Sequence, residues 1–142
     1  RTKSGLTTRF EDLAAALRAG AARLYCAVAA VELLIGHERW LHRGDFVTRF
    51  VETVPAWADG SPMAFVDWRR ATAAVKRGQL ACSSGEGQVL RLCASLAEGI
   101  PVDLAEALTS LDSSTVRLVA GAVLRAGGCA DVALPVRDDG AR

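Results

Sequence analysis

Between Ser83 and Gly128 the chain spells out the start and stop of three consecutive helices, which leaves that stretch little freedom to fold otherwise. Ser83-Ser84-Gly85-Glu86 has the capping-box form: the serine oxygen takes an orphan amide, and the glutamate reaches back to the cap. Val89, Leu92, Cys93, Leu96 and Ala97 follow at helical spacing as one apolar stripe. Gly99 suits the left-handed residue past a helix end, Ile100 clamps that end, and Pro101 blocks continuation. Asp103-Leu104-Ala105-Glu106 repeats the cap spacing for a short helix to about Leu111. Asp112 caps the last helix, and Gly127-Gly128 ends it.

Upstream, Thr8-Arg9-Phe10-Glu11 predicts a helix start at Thr8. Phe10, Leu13, Leu17, Leu24, Val28, Val31 and Ile35 recur at helical spacings, so one long helix is expected, with a break near Gly36. Gly20, Ala21 and Ala27 fill that stripe and would admit another helix at close range. Periodicity leaves residues 45–54 open between helix and strand. Met63-Ala64-Phe65-Val66 reads as a strand in need of a partner, which favours a short helix from Asp45 followed by a hairpin of residues 50–54 with 63–66. Pro55 to Pro62 forms the loop, and Asp67 caps a helix to about Arg77 that Gly78 stops. The expected fold class is mainly α: a single-domain helical bundle of about five or six helices with one small β-hairpin. The domain spans 1–142, with 1–6 and 137–142 frayed and Val132-Ala133-Leu134 docking as an extended strip.

With 142 residues, 51% of them hydrophobic, the chain can bury one core and shows no linker. Its net charge of +1 removes any whole-chain attraction to nucleic acid or an anionic membrane. The longest apolar run, Cys26 to Ile35, contains Glu32 and is too short to span a bilayer, so no membrane partner is expected. Cys26, Cys82, Cys93 and Cys129 form no C-x-x-C pair and read as reduced, buried thiols of a cytoplasmic protein. Fifteen of the seventeen basic residues are arginine, a bias typical of high-GC bacterial coding.

Few constellations carry chemistry. Residues 103–125 have the outline of a helix-turn-helix unit, with Ser113, Ser114 and Arg117 near the start of its second helix as nucleic-acid contacts. Arg69, Arg70, Lys76 and Arg77 make one basic helix face, and the first two oppose the helix dipole; an acidic partner or a phosphate backbone would compensate them, but Glu52, Asp67 or plain solvent would also do so, and a solvated face is favoured. Cys82 precedes a helix start that could lower its pKa. His37 and His42, five apart, point away from each other on a helix and suit neither a metal nor an acid–base pair. We assign no catalytic residue, metal or cofactor. Trp40 and Trp68 fit the core, while Trp57 on the hairpin loop either tucks back or meets a partner, and tucking is favoured.

The run from Ala81-Cys82-Ser83-Ser84-Gly85-Glu86 through Pro101-Val102-Asp103-Leu104 to Ser110-Leu111-Asp112, with Asp45-Phe46 and Val66-Asp67-Trp68, resembles an uncharacterised protein family of high-GC actinobacteria. That resemblance implies a bacterial cytoplasmic setting and no mechanism. The expected function is a non-enzymatic interaction module acting as a homodimer or on a protein partner, through apolar surface near Leu33, Leu34 and Ile35. The alternative is a DNA-binding regulator using residues 103–125.

Overall fold

The computed structural model describes residues 2–129, and the side chains of residues 9–129. The described residues form α1 (Thr2–Ala21), α2 (Tyr25–His37), a 3-10 turn (Arg39–His42), α3 (Gly44–Phe50), β1 (Val51–Pro55), β2 (Pro62–Val66), α4 (Trp68–Lys76), α5 (Ser84–Glu98), α6 (Leu104–Thr109) and α7 (Ser113–Ala126). The fold is a mainly helical single domain with one antiparallel hairpin. The docking expected of residues 132–134, and the fraying at 137–142, lie outside the described residues.

The capped stretch folds as its signals require. Ser83 Oγ accepts from the Glu86 amide at 3.2 Å, and the Glu86 carboxylate accepts from the Ser83 amide at 2.8 Å. Gly99 takes the left-handed conformation at φ 67° and ends α5, a position that would strain any side chain. Asp103 and Asp112 cap α6 and α7 by accepting from Glu106 and Thr115 amides, and Asp67 caps α4 by accepting from Arg70. The hairpin pairs Val51 with Val66 and Val54 with Met63, and its strands fall within a residue of the expected spans 50–54 and 63–66. Asp45 lies in the first turn of α3 rather than at its cap, where its carboxylate accepts from Arg43 at 2.7 and 3.1 Å.

The first forty residues depart from expectation. Helix α1 begins at Thr2, so Thr8 is not a cap, and the long helix is two helices joined through Ala22-Arg23-Leu24, with Arg23 at φ 82°. This break raises the count among the described residues to seven α-helices and leaves Leu24 67% exposed, although it falls on the predicted stripe. Its cause is tertiary. Helix α1 lies on the hairpin, whereas α2 runs along α5 and α7, so the chain must change direction between them. Arg18 on α1 holds Glu32 on α2 at 2.7 Å across the bend. Gly20 admits a strand rather than a helix: a Cβ there would collide with the Ala64 carbonyl of β2. The break expected near Gly36 comes at Glu38, at φ 68°.

Helix α5 is the central post, with Gln88, Val89, Leu90, Leu92, Cys93 and Ala94 all buried among α2, α4, α6 and α7. Trp40 on the 3-10 turn is fully buried and donates from Nε1 to the Glu86 carbonyl at 2.9 Å, which ties the first half of the chain to the start of α5. Phe46 and Phe50 continue that aromatic row at centroid separations of 5.2 and 6.0 Å.

Candidate functional site

Residues 33–35 are not the free surface that was expected. Leu33, Leu34 and Ile35 are at most 8% exposed because α5 and α7 cover them. Apolar exposure lies elsewhere, above all at Trp57, which is as open to solvent as in an extended peptide (104%). The expected tucking of Trp57 over the hairpin does not occur. Its loop is nonetheless pinned. The Ala56 amide donates to the Ser61 carbonyl at 2.7 Å, the Gly60 amide to the Ala56 carbonyl at 2.9 Å, and the Ser61 amide and hydroxyl to Asp59 at 2.9 and 2.6 Å. None of these bonds involves the Trp57 indole, which makes no hydrogen bond to a described residue.

Beside the hairpin a cleft of about 600 Å³ opens between α1, the 3-10 turn, α3 and the strand residues Thr53 and Pro62. Phe10, Leu13, Ala16, Leu41 and Val47 give it an apolar lining, with Arg9, Asp12 and His42 among its polar groups. His42 stacks on Phe10 at a centroid distance of 4.7 Å, so it serves as part of the wall.

The basic face of α4 divides. Arg69 and Lys76 line a cleft of about 420 Å³ between α4, α5 and the segment that leads into α6, and Arg69 lies 3.7 Å from Glu98. Arg70 turns the other way, 3.8 Å from Asp67 and 5.6 Å over the Phe50 ring, which Arg49 also covers. The compensation expected for Arg69 and Arg70 is thus supplied within the chain by two carboxylates and an aromatic face. Arg77 is the C-cap of α4 and is exposed. Gln88 and Arg91 complete the 420 Å³ cleft, and periodicity overlooked both because the apolar stripe of α5 drew the reading to its other side.

Ser113, Ser114 and Arg117 are exposed at the start of α7, and the Ser114 hydroxyl donates to Asp112 at 2.8 Å. No described cleft brings these residues together with Arg69 or Lys76. Helix α6 packs chiefly on α5 and α7 on α2, so the two helices do not form one another's main contact. Arg125 sits 3.9 Å from Glu32. Ser114 instead borders a cleft of about 530 Å³ where the starts of α5 and α7 face the end of α2. His37 lines it with a buried Nδ1 that has no partner among the described residues. Burial, and then the Arg39 charge, hold the imidazole below its ordinary pKa, and Glu86 and Asp112 act in the opposite direction. The Thr115 amide, with the Thr115 and Ser114 hydroxyls, lowers Asp112 to about 2.

Three thiols depart from expectation. Cys26 and Cys129 are exposed rather than buried, and Cys82 is half-buried. Burial, followed by Glu86, raises the Cys82 pKa, so the helix start does not make it a thiolate. Cys93 is buried, and burial pushes its pKa far up. Among the described residues no three His, Cys, Asp or Glu side chains converge as a metal site requires, and no helix is long and apolar enough to cross a membrane. No protein-family model, curated protein or solved structure matches the chain.

Proposed function

We propose that the chain is a non-enzymatic interaction module that works through self-association or a protein partner, with Trp57 as its anchor. The observation that carries this reading is a fully exposed indole on a loop closed by its own hydrogen bonds. A tryptophan left in water forgoes roughly 2 to 3 kcal/mol of burial, and such side chains supply much of the energy of interfaces when a partner covers them. Because the loop is already ordered, little conformational entropy is lost on docking. Phe65, 44% exposed on the strand that leaves the loop, adds apolar surface. Self-association has a receptor on the same chain: the apolar cleft beside Leu13 and Val47 has room for an indole. The cytoplasmic setting draws support from four cysteines that are all free.

Light scattering on a sizing column, run at low and high salt, tests this reading. A dimer that persists in salt and dissociates in Trp57→Ser is the expected result. A monomer at every salt and concentration rejects self-association. Mixed-sequence duplex DNA in the same runs examines the alternative, which has thinner support because Arg69, Arg70 and Arg125 already lie near carboxylates. A complex with DNA at low salt that salt dissolves would install the regulator reading instead.

A further inference from the structure

The cleft of about 420 Å³ between α4 and α5 is of small-molecule size and gathers charged groups of both signs around a few apolar side chains. Arg69 and Lys76 stand on one wall at helical spacing, Gln88 and Arg91 on the second, and Asp103 and Glu106 on the third. These walls bring opposite charges to one cavity without joining them. Among the described residues, no carboxylate oxygen of Asp103 or Glu106 lies within 4 Å of an Arg69, Lys76 or Arg91 nitrogen, and the cleft's one ion pair is Arg69 with Glu98.

Gln88 is the second, independent sign. It is only 7% exposed and makes no side-chain hydrogen bond to any described residue. Its amide atoms are not among the fully sealed polar atoms that lack partners, so the little exposure it retains belongs at least in part to that amide. Gln88 lines this cleft and, together with Arg91 and Glu106, a second of about 440 Å³ towards Cys82 and Gly87, so the three residues stand on the rim between the two. An amide taken this far from water without a partner carries a desolvation penalty that a bound polar group removes. Thr72, also on the lining, is already engaged, donating to the Trp68 carbonyl at 2.8 Å. Ala73, Ile100 and Val102 supply an apolar floor between the charged walls.

A molecule complementary to this cleft carries a negative group for Arg91 and the Gln88 amide, a positive group for Glu106 and Asp103, and a short aliphatic part for the floor. We propose that the cleft binds a small zwitterion of the aliphatic α-amino-acid class. Its carboxylate is held by Arg91, Lys76 and Gln88, its ammonium by Glu106, and its side chain lies on Ile100 and Val102. A purely anionic ligand meets the carboxylates of the α6 wall, and a purely cationic one meets three basic groups, so each half-charged analogue forfeits one wall.

The probe is L-leucine, titrated into the isotope-labelled chain while amide resonances are followed, with N-acetyl-leucine and leucinamide as single-charge controls. Leucine should shift resonances within residues 69–76, 88–91 and 100–106, and each control should bind about tenfold more weakly. Arg91→Gln and Glu106→Gln should each weaken leucine binding by about tenfold, Arg91→Gln narrowing the gap between leucine and leucinamide and Glu106→Gln the gap to N-acetyl-leucine. Resonances outside the cleft report whether each variant is folded. Shifts confined to other regions, no shifts at all, or N-acetyl-leucine binding as tightly as leucine would overturn the proposal. None of these outcomes bears on the Trp57 reading, whose readout is the mass of the particle.

Discussion

Helices α5 to α7 and helices α1 to α2 differ in where their boundaries come from. Each of the later helices starts on a side chain that caps it, Ser83, Asp103 or Asp112, and α5 stops on a glycine placed for the purpose. Those boundaries are local chemistry, so a reader of the chain finds them within a residue or two. The boundary between α1 and α2 carries no such mark: Leu24 caps α2 without a side-chain hydrogen bond, and Arg23 takes a left-handed conformation that an arginine does not prefer. That break is imposed by what each helix packs against, the hairpin for α1 and the α5–α7 pair for α2. Local signals therefore locate helix ends only where no distant contact overrules them.

Substitutions at the two kinds of boundary should separate accordingly. The largest effect is expected at Gly20→Val, which drives a side chain into the Ala64 carbonyl and must lift α1 off the hairpin. A loss of about 3 kcal/mol is expected by chemical denaturation. A loss below about 1 kcal/mol would show that α1 does not rest on β2. Next comes Ser83→Ala, which removes one half of the capping box and should cost about 1 kcal/mol with no change in the fold. Arg23→Gly should act in the other direction, stabilising the chain by about 0.5 to 1 kcal/mol because glycine adopts φ 82° without steric cost. If Arg23→Gly instead destabilised, the break would not be a strained position and the contrast between the two regions would fail.

The smallest effect concerns pH at the joint between the regions. His37 ends α2 beside the starts of α5 and α7, and its pKa in the fold is lowered from 6.5 by burial and by Arg39. The fold therefore favours neutral imidazole. That contribution is fully present above pH 6.5 and is lost as pH falls below it towards the lowered folded value. His37→Phe should flatten the melting temperature between neutral and mildly acidic pH, as followed by circular dichroism. An unchanged slope would assign the acid sensitivity to other groups.

The legibility of the candidate surfaces follows the same division. Arg69 and Lys76 were identifiable as one basic face because helical spacing is a local property, but the turn of Arg70 towards Phe50 depends on α3, distant in the chain. Gln88 and Arg91 carried no signal of their own, since one glutamine and one arginine on a helix acquire meaning only when α4 and α6 close around them. Leu33, Leu34 and Ile35 looked like surplus apolar surface because a single strip cannot reveal that two helices, α5 and α7, share the covering of α2. Trp57 was visible as a loop aromatic. Its outward direction was not, because an aromatic on a loop carries no local signal of whether a neighbouring element covers it.

The distribution of the three indoles also makes the molecule its own optical instrument. Trp40 and Trp68 are sealed in the interior, at 0% and 6% exposure, and Trp57 stands in water. A quencher dissolved in the buffer reaches Trp57 and leaves the emission of the other two intact. A partner landing on the hairpin dims that accessible fraction while the interior signal stays fixed, and loss of the fold does the reverse by opening the protected pair. Recognition and unfolding thus write to separate channels of one spectrum, with no label attached to the chain.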